Sequence, residues 1–206
     1  MFKSTLFTLR GSLLALALAG CAGFASADTN YHATIDTSSM SGPGWLDMAF
    51  QPGMVPAVGA TVTLSNFSGN FGSDVELEGD ASGALPGSFT MNNSTDYNDV
   101  FQALTLGGSF SFDISFSGAY QTTPGAAGST LAVSLLSGDG AYLGNPNGVL
   151  FQIDLVPLQS NSLSVLAPDV AVLAAAAVPE PSQYLLMLGG LCLLGAVTAR
   201  RRRSVR

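Results

Sequence analysis

The chain has 206 residues, of which 10% are charged, 47% are hydrophobic and 24 are glycine; it is too apolar for a disordered chain and long enough for one domain with terminal segments. Its basic residues are Lys3, Arg10, Arg200, Arg201, Arg202, Arg203 and Arg206, so positions 11–199 hold neither Lys nor Arg, while all fourteen acids lie from Asp28 to Glu180. A middle without these cations cannot neutralise phosphates, which excludes nucleic-acid binding, and it lacks the side chains that clamp anionic substrates.

Lys3 and Arg10 form a positive start, Leu13 to Gly20 an apolar core, and Ala25-Ser26-Ala27 a small-residue cleavage site before Asp28. That pattern predicts a secretory signal peptide over residues 1–27, too short in its apolar run to be a membrane span. Leu18-Ala19-Gly20-Cys21 also resembles the lipobox of bacterial lipoproteins, in which the cysteine is acylated. Cleavage after Ala27 and lipidation at Cys21 are thus alternatives, and both predict export.

Residues 28–177 read as one domain. Phe110, Phe112, Ile114 and Phe116 alternate with Ser111, Asp113, Ser115 and Ser117, and a period of two over eight residues predicts a half-buried strand. Shorter stretches repeat the pattern at Val62 and Leu64, Val75 and Leu77, Leu131 to Leu135, Val149 to Leu155, and Leu163 and Val165. Turn residues separate them, as in Leu85-Pro86-Gly87, Asp139-Gly140 and Asn145-Pro146-Asn147-Gly148. The spacing predicts an all-β fold of nine to eleven short strands, a single antiparallel β-sandwich of jelly-roll type, with no internal repeat.

Candidate chemistry is sparse. His32 is the only histidine and both cysteines, Cys21 and Cys192, lie in the terminal segments. The domain therefore has no Cys-His pair, no zinc ligand set and no disulfide, and His32 is expected to be a polar residue on an edge strand. Asp74, Glu76, Glu78 and Asp80 recur at period two. A strand would put these carboxyls on one face, about 6.6 Å apart. The expected role is a solvated face that keeps an edge strand from pairing with other chains; glycoside hydrolysis through Glu76 and Glu78 is the alternative. Packed carboxylates and the Asx-rich run Asn92 to Asp99 also make Asp74, Glu76, Glu78, Asp80, Asp96 and Asp99 candidate Ca²⁺ ligands, although the run reads first as a turn that caps its own backbone. No other cofactor is expected. Trp45, Tyr97, Tyr120 and Tyr142 are candidates for stacking on sugar rings if they are exposed.

At the C-terminus, Val178-Pro179-Glu180-Pro181-Ser182 precedes an uncharged stretch, Tyr184 to Ala199, and then Arg200 to Arg203 and Arg206. Sixteen residues make a helix of roughly 24 Å, a short transmembrane span whose arginines act as a cytoplasmic stop-transfer cluster. Prolines flanking a carboxylate keep the chain extended ahead of it. Motif 179–181, helix 184–199 and basic tail 200–206 together resemble the sorting segment of PEP-CTERM proteins of Gram-negative bacteria. That resemblance implies processing by an exosortase, an inner-membrane intermediate, and a final place at the cell surface or in an extracellular, exopolysaccharide-rich matrix.

The middle of the chain resembles an exported group within the same set. The matching stretches are Ile35 to Met40, Trp45 to Gly53, Val62 to Phe67, Gly83 to Pro86, Tyr97 to Asp99 and Asn147 to Leu150. That resemblance carries no activity with it. The expectation is a non-enzymatic exported protein associated with biofilm or exopolysaccharide. A secreted, carboxylate-dependent glycan hydrolase is the alternative.

Overall fold

A computed structural model describes residues 30–176 of the chain. The cleavage residues Ala25 and Ala27, Cys21, the Pro179-Glu180-Pro181 motif, the span 184–199 and Arg200 to Arg203 all lie outside the described residues.

The described residues form thirteen strands and one short 3-10 turn at Ala119–Gln121. The strands are β1 (Asn30–Asp36), β2 (Gly42–Pro52), β3 (Thr61–Ser68), β4 (Phe71–Glu78), β5 (Ala81–Gly83), β6 (Phe89–Asn92), β7 (Asp99–Leu106), β8 (Ser109–Ser117), β9 (Ser129–Ser137), β10 (Tyr142–Leu143), β11 (Val149–Leu155), β12 (Ser162–Val165) and β13 (Ala171–Ala175). The all-β expectation holds, with more strands than the nine to eleven expected. The excess arises because short pieces such as β5, β6 and β10 are too brief to show a period.

Two antiparallel sheets face each other. One runs β13-β1-β8-β3-β6-β5, and the larger runs β12-β11-β9-β2-β7-β4 with β10 added to β9. The pairing is nested: β4 with β7, enclosed by β3 with β8, enclosed by β2 with β9, enclosed by β1 with β13. This is the pattern of one long antiparallel ribbon rolled on itself.

The alternation read along β8 is what the fold uses. Phe110, Phe112, Ile114 and Phe116 are buried while the serines between them are partly or fully exposed. They meet Leu46, Met48 and Phe50 of β2 and Leu131, Val133 and Leu135 of β9, all fully buried, in one core between the sheets. Rings fix the centre: Phe67 stacks on Phe112 with centroids 5.2 Å apart and meets Phe89 edge-on at 5.6 Å. Each such side chain contributes roughly 1.5–3 kcal/mol by burial, which lets the core hold the fold without a disulfide.

Gln102 is one of several polar groups buried in the domain. Gln102 on β7 sits among Val100, Leu104 and Leu106 at 1% exposure, and its Nε2 donates to the carbonyls of Gly72 at 2.9 Å, Asp74 at 3.2 Å and Ala103 at 3.0 Å. Those bonds hold an irregularity in β4, whose register against β7 shifts between Phe71 and Val75. β4 is an edge of its sheet, as expected for the acidic strand. β1 is not an edge: it lies between β13 and β8, so the expectation for His32 is corrected.

Candidate binding face

The side of the larger sheet turned away from the core is built from the residues between its buried ones. On β2 these are Trp45, Asp47 and Ala49, alternating with buried Leu46, Met48 and Phe50. On β7 they are Asp99, Phe101 and Ala103. Register places Asp47 opposite Phe101 and Ala49 opposite Asp99, so the two aspartates are diagonal neighbours. Trp45 and Phe101, the other diagonal, stack with centroids 4.7 Å apart and planes 11° from parallel. Leu136 on β9 pairs with Trp45 on one side and Tyr142 on the other, which puts Tyr142, 52% exposed, on the same face.

Asp47 and Asp99 are neighbouring carboxyls on adjacent central strands. Asp99 is 8% exposed, and Oδ1 of each aspartate is buried with no hydrogen-bond partner. Burial, then the Asp47 charge, push Asp99 up to about 8, with the Val100 N–H acting weakly in the opposite sense. Burial also raises Asp47, while neighbouring Asp99 acts in the opposite sense. Both carboxyls are thus held above the ordinary carboxylate range, chiefly by burial. Tyr97 lies within reach of the same charges: burial first, then Asp99, Asp47 and Glu78, push its phenol up to about 12.

Glu76 pairs with Phe101 and Glu78 with Asp99, so these two acids of β4 border the face. Asp74 lies at the register shift, and Asp80 lies beyond the end of β4. The expected row of four carboxyls on one face thus reduces to two, because the irregularity breaks the period at one end and the strand stops at the other. Asp80 instead accepts from Ser94 Oγ at 2.5 Å and gives its N–H to Asn98 Oδ1 at 2.7 Å. Asp96 is exposed in the loop before β7. Among the described residues no three His, Cys, Asp or Glu side chains come together as a metal-binding group.

The Asx-rich run spends its side chains on the fold. Asn98 is fully buried, and its amide donates to the carbonyls of Phe50 at 3.0 Å and Thr95 at 3.2 Å. Asn93 accepts from the Ala60 N–H at 2.9 Å and donates to the Val58 carbonyl and to Ser129 Oγ, both at 2.8 Å. Of these, only the Asn98–Thr95 bond caps the run's own backbone, as expected; the others tie the run to distant strands and loops. They fix the loop that presents Tyr97. Gly79 lies beneath it at φ 69°, where a Cβ would come 2.0 Å from the Tyr97 carbonyl oxygen, so only glycine fits both the space and the dihedral.

Of the four candidate stacking aromatics, Trp45, Tyr97 and Tyr142 belong to this face and Tyr120 does not, being 3% exposed in the core. The carboxyl pair went unrecognised in the sequence because its members are 52 positions apart on strands with apolar residues on both faces. On the outside of the other sheet, His32 Nδ1 meets Asp113 Oδ1 at 2.6 Å, and Asn66 Nδ2 donates to Asp113 Oδ2 at 2.7 Å. The Asn66 bond first, and the His32 bond second, hold Asp113 below the usual carboxylate range. This exposed dyad has no nucleophile bonded to it.

No curated protein and no solved structure matches the chain. A family model does match its C-terminal segment: residues 177–203 fit the PEP-CTERM protein-sorting motif, over the Pro-Glu-Pro, apolar and arginine stretches from which that sorting was expected. The chain carries a PEP-CTERM protein-sorting motif over residues 177–203, which is consistent with an exosortase substrate.

Proposed function

We propose that this is a non-enzymatic protein of the cell surface or extracellular matrix, whose jelly-roll domain is delivered by exosortase processing and resides among exopolysaccharide. The observation that carries the reading is the sorting motif at residues 177–203, joined to a domain of acids without Lys or Arg. Such a domain suits an exterior rich in hydroxyl groups and cations. The nested strand pairing supports the jelly-roll assignment.

Two features favour a binding role over hydrolysis. Asp47 and Asp99 sit side by side on adjacent strands with Asp99 nearly buried, whereas glycosidase carboxyls, roughly 5 Å or more apart, flank an open cleft that admits the scissile bond. Glu76 and Glu78 lie exposed along one edge strand, two residues apart on the same element and not on opposed elements. No metal is required by this reading.

The test is replacement of Pro179, Glu180 and Pro181 by alanine in the host. The wild-type domain is expected in the surface or matrix fraction, and the variant is expected to stay as full-length chain in the inner membrane. Identical fractionation of the two, or hydrolysis of any member of a polysaccharide panel by the wild type, refutes the proposal. Mass spectrometry of the mature N-terminus separates cleavage after Ala27 from acylation at Cys21.

A further inference from the structure

The outer face of the larger sheet has aromatic side chains that the core does not need. Trp45 and Phe101 make a stacked pair on adjacent central strands; Tyr142, 52% exposed, lies across β9 from Trp45, and Tyr97, 38% exposed, stands in the loop before β7 close to the same carboxyls. Beside the stack lies Asp47, two residues from Trp45 on β2 and diagonal to nearly buried Asp99, with its Oδ1 buried and its side chain partly exposed. Glu76 and Glu78 close one border.

We propose that this face binds an uncharged glycan chain, with the C–H side of a pyranose ring packing against the open side of the Trp45–Phe101 stack and ring hydroxyls donating to Asp47. The chemistry selects this ligand class in three ways. Flat aromatic surfaces beside carboxyl acceptors suit a molecule that is apolar on its ring faces and rich in donors on its rim. Carboxyls on this face and the absence of Lys and Arg from the whole domain repel uronate or phosphate-bearing polymers. The same charge disfavours a second copy of the chain as occupant, because two such faces would bring their acids together. The proposal deepens the matrix reading by naming the site and the sugar class.

The experiment measures binding of the detergent-solubilised full chain to dextran, xyloglucan, galactomannan and a β-1,3-glucan, with alginate and hyaluronan as anionic polymers. At least one neutral glycan is expected to bind. Trp45→Ala is expected to weaken that binding about tenfold and Tyr142→Ser several-fold, the scale of one lost ring contact. Thermal melts of both variants show whether the fold is kept; Tyr142, on a two-residue strand, carries the test if Trp45→Ala unfolds. His32→Gln, on the opposite sheet, is expected to bind as the wild type does. Binding to anionic polymers alone, no neutral binding across the panel, or neutral binding untouched by both aromatic variants overturns the site. Absence of the protein from the host matrix, together with intact Trp45-dependent binding in vitro, overturns the matrix reading and leaves the site standing.

Discussion

Replacing Asp99 by Asn separates the carboxyl pair from every other source of pH dependence in this acidic domain. Folded Asp99 releases its proton near pH 8, and an unfolded aspartate releases it near pH ~4. Between those limits the folded state holds a proton that the unfolded chain has lost, so stability falls as pH rises through the window. The span from 3.8 to about 8, at ~1.36 kcal/mol per pH unit, sets a ceiling of roughly 6 kcal/mol. Asp47 is partly exposed, and water relaxing around it reduces that to about 2–3 kcal/mol, or ~5–10 °C in melting temperature for a domain of this size. Asn at 99 keeps the shape and has no proton to lose. Melts of the 28–177 domain by circular dichroism, from pH 5 to pH 8.5, are expected to show a steep decline for the wild type. The variant is expected to show a shallower one, set by general repulsion among the remaining acids. Parallel slopes for the two proteins would refute the raised titration of Asp99.

Three further outcomes follow from particular contacts. Gln102→Leu leaves three carbonyls without their donor and is expected to destabilise the domain by about 1–3 kcal/mol in urea unfolding; hydrogen exchange should rise first in β4, and an unchanged exchange pattern would show that Gln102 does not pin that strand. Gly79→Ala is expected to lower the melting temperature and to shift the amide resonances of residues 94–98, since the new methyl would collide with the Tyr97 carbonyl; an unshifted loop contradicts that geometry. His32→Ala is expected to change stability by less than ~0.5 kcal/mol, as is usual for exposed pairs, and to move the Asp113 titration upward in carbon-detected NMR because one of its two hydrogen bonds is gone. A large loss of stability would mean that His32 does more than its exposed position indicates.

The strands legible in the sequence are those with one wet face. β8 buries every second residue, and β9 does so from Ser129 to Val133, so a period of two finds them. β2 and β7 are central, and Trp45, Leu46, Met48, Ala49 and Phe50 are apolar in both phases, so alternation is lost where the binding face is built. The acidic strand was legible as a strand and as an edge, yet its row of carboxyls was not. The signal that would have broken it is Gln102, an amide at a core position, which acts on a strand some 28 residues upstream through bonds that no local pattern encodes. Tyr120 illustrates the same limit, because nothing in its neighbours shows that a 3-10 turn folds it inward. The terminal signals are different in kind: they are linear addresses, legible without a fold.

The nested pairing also sets the order of events during export. β13 is the partner of β1, so the first strand to emerge is matched on one side by the last, about 140 residues later. A chain threaded across a membrane from its N-terminus cannot close the roll until Ala175 has crossed. Pro179 to Pro181 and the apolar stretch from Tyr184 follow within ten residues. The inner pairs can form as soon as β7 and β8 have emerged, whereas the outermost pair closes only at β13, which is followed by the sorting motif at residues 177–203.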